Sequence, residues 1–395
     1  MKLKRLPEDF QVEEQTSLAV GGGPFALYRL TKQSLGTLEA IDAVGRRWKL
    51  PPRAVGFAGL KDKHAQTTQH VTIRGGPRRN LSQTNLTLEY LGQAARPIHA
   101  SDIIANRFSI VIRDLSPEEV QRATEALAAI KRDGLPSYFD NQRFGSLGQS
   151  AEFIARPWCL GDYQRALWLA LADPNVHDRP RDQKEKQAIR DHWGNWPACV
   201  HLVADPQRQT MIRFLADHPV DYRRAIALFP QELRSIWLAA FQSDLWNQVL
   251  AALIRNVCGA RSLPTHRIAR HDLPFLAELD DDQRRQLQTT MLPLPSARLH
   301  LDGHSLEPLY HQALAAEGLE LRQIRVKYPR DSFFSKGERP AVVWPGDFQD
   351  EAAGDEYYDG ARKLVLRFSL PRGAYATLLI KRIAGDLPDD EAGDD

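Results

Sequence analysis

The residues best placed to do chemistry lie together between Gly56 and Gln69, in the run Gly-Phe-Ala-Gly-Leu-Lys-Asp-Lys-His-Ala-Gln-Thr-Thr-Gln. Asp62 sits between Lys61 and Lys63. A carboxylate flanked by cations is held ionised, with its pKa pushed down. An ionised aspartate can attack an electrophilic carbon and form a covalent intermediate. The same residues also read as a loop aspartate in an Asx-turn with its lysines in solvent, and on physics alone that plainer reading is favoured. Asp62-Lys-His64 is a D-x-H pair of the kind that opens a metal site. No third ligand follows at useful spacing, so no metal is expected. Gly56 and Gly59 permit a tight backbone around the aspartate.

These residues need elements to hold them. Short strands are expected at Val55–Phe57 and His70–Ile73, on either side of the Asp62 loop. Upstream, Phe10 and Val12 fall on one side of an extended segment over residues 8–14. A turn at Gly21-Gly-Gly-Pro24 leads into a strand from Phe25 to Leu30. Thr37 to Trp48 reads as a helix with Leu38, Ile41 and Val44 on one face. Phe108, Ile110 and Ile112 alternate with Ser109, Val111 and Arg113, the pattern of a half-buried strand. Ser116-Pro-Glu-Glu119 is then a capping box with proline at the first helical position, and that helix ends near Asp133-Gly134. From about Gly148 to Lys336 the chain becomes rich in helix formers, Trp and Arg, with a long helical segment over Leu233–Asn256. Strands are expected again at Leu364–Phe368 and, after a turn at Pro371-Arg-Gly373, at Ala374–Lys381. A mixed α/β domain interrupted by a mainly helical insertion accounts for this order.

Composition narrows the field. The chain has 395 residues, 43% hydrophobic and 26% charged, enough for two or three domains and a sizeable core. The longest apolar run, Ala166–Ala172, is far too short for a membrane span. No secretory signal is visible at the N-terminus. The three cysteines, Cys159, Cys199 and Cys258, form no C-x-x-C pair, which argues against a disulfide scaffold and fits a reducing cytoplasm. There is no G-x-x-x-x-G-K-[ST], no G-x-G-x-x-G, no H-E-x-x-H and no G-x-S-x-G, so neither a nucleotide cofactor nor a zinc-protease or serine-hydrolase centre is supported. The net charge is only +2, yet residues 1–100 carry 15 Lys/Arg against 8 Asp/Glu. Six acids and no base fill the last ten residues. A basic N-terminal region with a separate acidic tail is compatible with a polyanionic partner such as RNA.

Six motifs in order give a specific resemblance. Phe57-Ala-Gly-Leu-Lys-Asp62 is similar to the active-site motif of the TruD family of pseudouridine synthases, and the residues to Gln69 extend the match. Lys4-Arg-Leu-Pro-Glu-Asp-Phe-Gln-Val-Glu13 resembles the family's K-x-x-P-E-D-F-x-V-x-E. Ala105-Asn-Arg-Phe108 stands where the family has G-N-x-F. Tyr138-Phe-Asp-Asn-Gln-Arg-Phe-Gly145 resembles N-Y-F-G-x-Q-R-F-G, and Phe241–Asn247 resembles a family helix ending in F-N. Phe368-Ser-Leu-Pro-Arg-Gly-Ala-Tyr-Ala-Thr377 resembles the closing F-x-L-P-x-G-S-[FY]-A-T. Two positions depart: Ser137 replaces the family's Asn, and Asp140 replaces its Gly. A serine has shorter reach and fewer donors than an asparagine.

The resemblance implies an α/β (α+β) pseudouridine synthase catalytic domain with a mixed, mainly antiparallel sheet. It would comprise residues 1–150 and 336–385, interrupted by a TRUD-type insertion domain at 151–335 and followed by an acidic, disordered tail at 386–395. The implied reaction is isomerisation of uridine to pseudouridine in tRNA, at uridine 13, without cofactor or metal. Asp62 would be the nucleophile. Phe10, Ser137, Phe139, Tyr375, Lys4 and Lys61 are the implied substrate-binding residues, the aromatic ones stacking on a base flipped out of its helix. Phe108, Phe144 and Phe368 are assigned to the core. Arg46, Arg47, Lys49, Arg53, Arg74, Arg78 and Arg79 are candidates for phosphate contacts, and Arg330 and Lys336 for a cleft at the insertion. The expected protein is a cytoplasmic monomer whose partner is tRNA, with no membrane and no nucleotide. The rivals are a non-catalytic RNA-binding protein on the same scaffold and a metal-dependent hydrolase using Asp62 and His64.

Overall fold

Residues that alternate every second position in the first 115 build one large sheet. The computed structural model describes residues 1–63 and 65–385; His64 and the acidic segment 386–395 lie outside the described residues. The chain divides into two compact units, Met1–Leu135 together with the stretch from Val343 onward, and Pro136–Val342. The segment 151–335 falls wholly within the second.

Among the described residues, the first unit holds ten strands in one sheet: β1 (Lys2–Leu3), β2 (Phe10–Thr16), β3 (Phe25–Gln33), β4 (Val55–Phe57), β5 (Gln66–Arg74), β6 (Leu81–Gln83), β7 (Leu86–Ala94), β8 (Ile103–Leu115), β9 (Gly346–Gly354) and β10 (Arg362–Pro371). The order is β9-β10-β8-β2-β5-β3-β7-β6, with β1 added to β8 and β4 to β5. Every pairing is antiparallel except β2 with β5. The strand His70–Ile73 extends back to Gln66, because Gln66–Thr68 pair with both β2 and β3.

Helix α1 (Thr37–Trp48) covers one face of this sheet. Ala40 and Val44 are buried there with Ala26, Tyr28 and Leu30 of β3 and Val71 and Ile73 of β5. Leu38, expected on the inner face, is instead 56% exposed, and Thr37 takes the inward position in the first turn. Helix α2 (Pro117–Asp133) begins as its sequence predicts. The Ser116 hydroxyl accepts from the Glu119 amide at 3.2 Å, and the Glu119 carboxylate accepts from the Ser116 amide at 2.8 Å.

The segment Ala374–Lys381, expected as a strand, is helical from Ala376 to Ala384. Leu379 and Ile383 recur at a helical spacing beside Leu378 and Ile380, and this apolar face packs on α2. The turn at Pro371–Gly373 suggested a hairpin, but β9 already pairs with one edge of β10 and β8 with the other.

The second unit is mainly helical, with a small hairpin, Thr265–Ile268 with His271–Pro274, and a two-stranded pair formed by the distant segments Met291–Pro293 and Glu338–Pro340. Its longest helix, α3 (Gln231–Cys258), is buried over most of its length. Cys159, Cys199 and Cys258 are buried free thiols. Among the described residues, no helix is long and apolar enough to cross a membrane.

Candidate active site

The chain reaches Asp62 after β4 turns back beside β5. Gly56, in the middle of β4 and opposite Thr72, lets the two strands approach, since a Cβ there would stand 2.9 Å from the Thr72 hydroxyl oxygen. Below Asp62 the backbone is tied down by polar side chains from three elements. The Thr37 hydroxyl, at the start of α1, accepts from the Lys61 amide at 2.9 Å and donates to the Gln69 side-chain oxygen at 3.0 Å. The Gln69 amide donates to the Gly59 carbonyl at 3.3 Å. Lys32, on β3, is buried, and its ammonium donates to the Asp62 carbonyl at 2.7 Å and to the Leu35 carbonyl at 2.6 Å. Burial pulls the Lys32 ammonium down to about 8. The Asp62 and Glu39 carboxylates oppose that fall and Lys61 adds to it.

The Asp62 carboxylate itself meets Lys4, with Nζ to Oδ2 2.9 Å apart. Both side chains remain partly open to solvent, 19% and 25%. Lys4 adopts a left-handed backbone, φ 52°, between β1 and the turn Pro7–Asp9. Asp9 holds that arm. Its carboxylate accepts from the Leu6 amide at 3.0 Å and from the buried Arg113 guanidinium at 2.8 and 3.0 Å. Arg113, on β8, also meets Asp355 and Glu356. The P-E-D-F motif thus works as an anchor: Asp9 locks the arm to β8, and the arm delivers Lys4 to Asp62.

Phe10 is buried at the start of β2, edge-on to Phe108 at 6.4 Å, with the Lys4 ammonium 4.9 Å from its ring centroid. Phe108 stacks on Phe368 at 5.3 Å. Phe108, Phe144 and Phe368 are all buried, as the core assignment requires. Lys61 bridges two neighbours, with Nζ 2.9 Å from the Glu14 carboxylate and 2.9 Å from the Asn106 side-chain oxygen. Glu14 is fully buried. Desolvation pushes its carboxyl up, but the His70 hydrogen bonds and Lys61 outweigh that and leave it below the usual carboxylate range. Tyr375 is half-buried at the N-terminus of the helix Ala376–Ala384.

Ser137 and Phe139 lie in the second unit. The Ser137 hydroxyl and carbonyl accept from Arg339 at 3.1 and 2.9 Å. Asn247, on α3, clamps the Phe139 backbone, accepting from its amide at 2.9 Å and donating to its carbonyl at 2.8 Å. The Arg339 guanidinium lies 4.1 Å from the Phe139 ring centroid, and Trp246 meets the ring edge-on at 5.6 Å. Tyr138 is fully buried with its hydroxyl donating to the Pro274 carbonyl at 3.0 Å. Arg330 and Lys336 are exposed.

Sequence reasoning missed Glu14, Lys32, Thr37 and Asn106 as supports of the Asp62 loop. Two of these had a signal. Glu14 continues the inward alternation of Phe10 and Val12, and Lys32 continues that of Tyr28 and Leu30. A charged residue at an inward strand position implies a buried partner.

Residues 1–383 match the family described as tRNA pseudouridine synthase D (TruD). A relative from Methanocaldococcus jannaschii, called a probable tRNA pseudouridine synthase D 2, is 29% identical over 97% of this chain and 91% of its own length. The tRNA pseudouridine synthase D of Aquifex aeolicus is 24% identical, over 97% of this chain and 98% of its own. The crystal structure of a putative tRNA pseudouridine synthase D from Methanosarcina mazei has the same fold. Its TM-score is 0.74 at 23% identity, covering 96% of this chain and 92% of that one. From its N-terminal arm to the helix that follows Tyr375, this chain belongs to the TruD family.

Proposed function

We propose that this protein isomerises uridine to pseudouridine in tRNA, at uridine 13, with Asp62 as the nucleophile. The observation that carries the reading is the Asp62 carboxylate, partly open to solvent, with the Lys4 ammonium at 2.9 Å, its own carbonyl held by Lys32 and the preceding Lys61 amide held by Thr37. Family membership over residues 1–383 supports the reaction class.

The reaction breaks the bond from C1′ of ribose to N1 of uracil, turns the base, and joins C1′ to C5. The C5 hydrogen leaves as a proton, N1 gains one, and no electrons are exchanged with a cofactor. Asp62 serves by attack on C1′, by attack on C6, or by taking a proton from the sugar. All three routes need an ionised carboxylate; on the first two it must leave carbon again, and on the third it must return the proton it took. Lys4 pairs with the Asp62 carboxylate and orients it. The target base has to leave its stack; Phe10, Phe139 and Tyr375 are proposed to receive it, with Ser137 contacting its edge. Lys61, held by Glu14 and Asn106, braces the loop that carries Asp62. Residues 151–335 are proposed as the TRUD-type insertion, and the protein as a cytoplasmic monomer.

The test is tritium release from tRNA transcript labelled at uridine C5, in EDTA, comparing wild type with Asp62→Asn. Forming the C1′–C5 bond must expel the C5 hydrogen. Release by wild type alone, with tRNA binding retained by both, supports the reading. Salt-sensitive binding by both proteins without release would replace it with a non-catalytic RNA-binding protein.

A further inference from the structure

The sequence from Arg46 to Asn80 contains nine Lys/Arg and a single carboxylate, Asp62. Two of the nine, Lys61 and Lys63, flank that carboxylate. The other seven are all exposed, and none is in an ion pair among the described residues. They come from two segments: the end of α1 with the turn after it (46–53), and the end of β5 with the loop after it (74–79). The register of β4 on β5, Val55 opposite Ile73, brings the two segments side by side.

The two segments are bolted together from beneath. Tyr28 is fully buried, and its ring packs on Trp48, the last residue of α1, at 5.4 Å. Its hydroxyl donates to the Pro77 carbonyl, in the second segment, at 2.5 Å. Gly76 lets that loop close down, since a Cβ there would stand 2.6 Å from the Tyr28 hydroxyl oxygen. Lys49 and Arg53 hold left-handed backbones, φ 52° and 63°, where glycine is conformationally easier. Favouring cations at the end of a helix explains Arg46 and Arg47. It does not explain Arg53, Arg74, Arg78 and Arg79, which lie outside the helix.

This end of α1 is the opposite one from the Asp62 loop, which is tied to Thr37 in the helix's first turn. The 12 residues of α1 set the separation at about 18 Å. We infer that the cations of 46–53 and 74–79 form a preassembled phosphate-binding surface, which holds the backbone of an RNA duplex about 18 Å from the reacting nucleotide. Aromatic rings at this end, Tyr28, Trp48 and Tyr90, are packed on one another and on the core, so the surface offers charge rather than a stacking platform. Charge without stacking suits the phosphates of a helix rather than a splayed single strand. The identity of that RNA as tRNA rests on the proposed function.

The test replaces Arg46, Arg47, Arg78 and Arg79 together by Gln. Binding of an unmodified tRNA transcript and of single-stranded oligouridine is measured from low to physiological salt. A variant with Lys184, Arg213, Arg298 and Arg325 changed to Gln, exposed cations of the second unit, carries the same net charge. Thermal unfolding confirms that each protein is folded. For tRNA, the dependence of log K on log salt should become shallower by about 2 to 4 in the first variant, at about 0.9 for each duplex phosphate no longer neutralised. The slope for oligouridine should change by less than about 1. An unchanged tRNA slope, an equal change in the second variant, or an equal change with oligouridine would each overturn the inference. Tritium release is scored separately. Wild type that binds steeply but releases nothing defeats the proposed function and leaves this surface standing. Release by wild type with an unaltered slope in the variant does the reverse.

Discussion

Lys32→Met is expected to remove a pH dependence of folding that the wild-type protein carries beneath its Asp62 loop. Lys32 is 1% exposed, and its ammonium donates to the carbonyls of Leu35 and Asp62. Burial brings its pKa from 10.5 down to about 8. At about 1.4 kcal/mol per pKa unit, holding that proton in the folded state costs about 3 kcal/mol at neutral pH. Between the two pKa values the unfolded chain binds more protons than the folded one, so stability rises with pH across that window. The cost is fully present below about pH 8 and is relieved as pH climbs toward the unfolded value. From about pH 7 to about pH 9.5 the recovery at this one site is about 2 kcal/mol. Urea unfolding of wild type and variant at both pH values isolates the term, because other titrating groups are common to the two proteins. The wild type should gain about 2 kcal/mol relative to the variant on going to the higher pH. Parallel behaviour of the two proteins would refute the reasoning, and would mean that the ammonium is either solvated or neutral throughout.

Three further outcomes follow from other charge pairs in the fold. Asp9→Ala removes the charge-assisted hydrogen bonds from Asp9 to the buried Arg113 guanidinium, which keeps Asp355 and Glu356, and should destabilise the protein by about 1.5–3 kcal/mol in urea unfolding. Asp102 is held down to about 2, chiefly by its hydrogen bonds to Arg96, so its contribution of about 2 kcal/mol is present above the ordinary carboxylate pKa and disappears as pH falls toward 2. Asp102→Asn should therefore flatten the acid limb of a stability profile. Lys4→Met removes the cation 2.9 Å from Asp62 and should lower kcat for tritium release by about 10²-fold, with a smaller effect on KM. A rise in KM alone would place Lys4 on the RNA instead.

Local patterning in the sequence determined a good deal of this protein. Period-two alternation located β2 and β8, and the turn at Gly21–Pro24 located β3. The capping box at Ser116 and the apolar spacing of 37–48 located α2 and α1, because those signals depend on residues within a turn or two of each other. The motif around Asp62 and its order among five further motifs, from Lys4 to Thr377, carried the resemblance to the family. The tertiary structure alone decided what each polar residue near Asp62 is for. Glu14, Lys32, Thr37, Gln69 and Asn106 come from five different elements, and only the pairing of β2, β3, β5 and β8 brings them beneath one loop. The helix Ala376–Ala384 read as a strand because its short apolar run fits either period until α2 supplies a surface to pack on. Arg113 appeared in sequence as the outward member of a half-buried strand. It is buried because Asp9, 104 residues away in the chain, and Asp355 meet it in three dimensions. Side-chain chemistry and short-range spacing are written in the order of residues. Which charges are desolvated, and by which partners, depends on contacts between distant segments that no local pattern encodes.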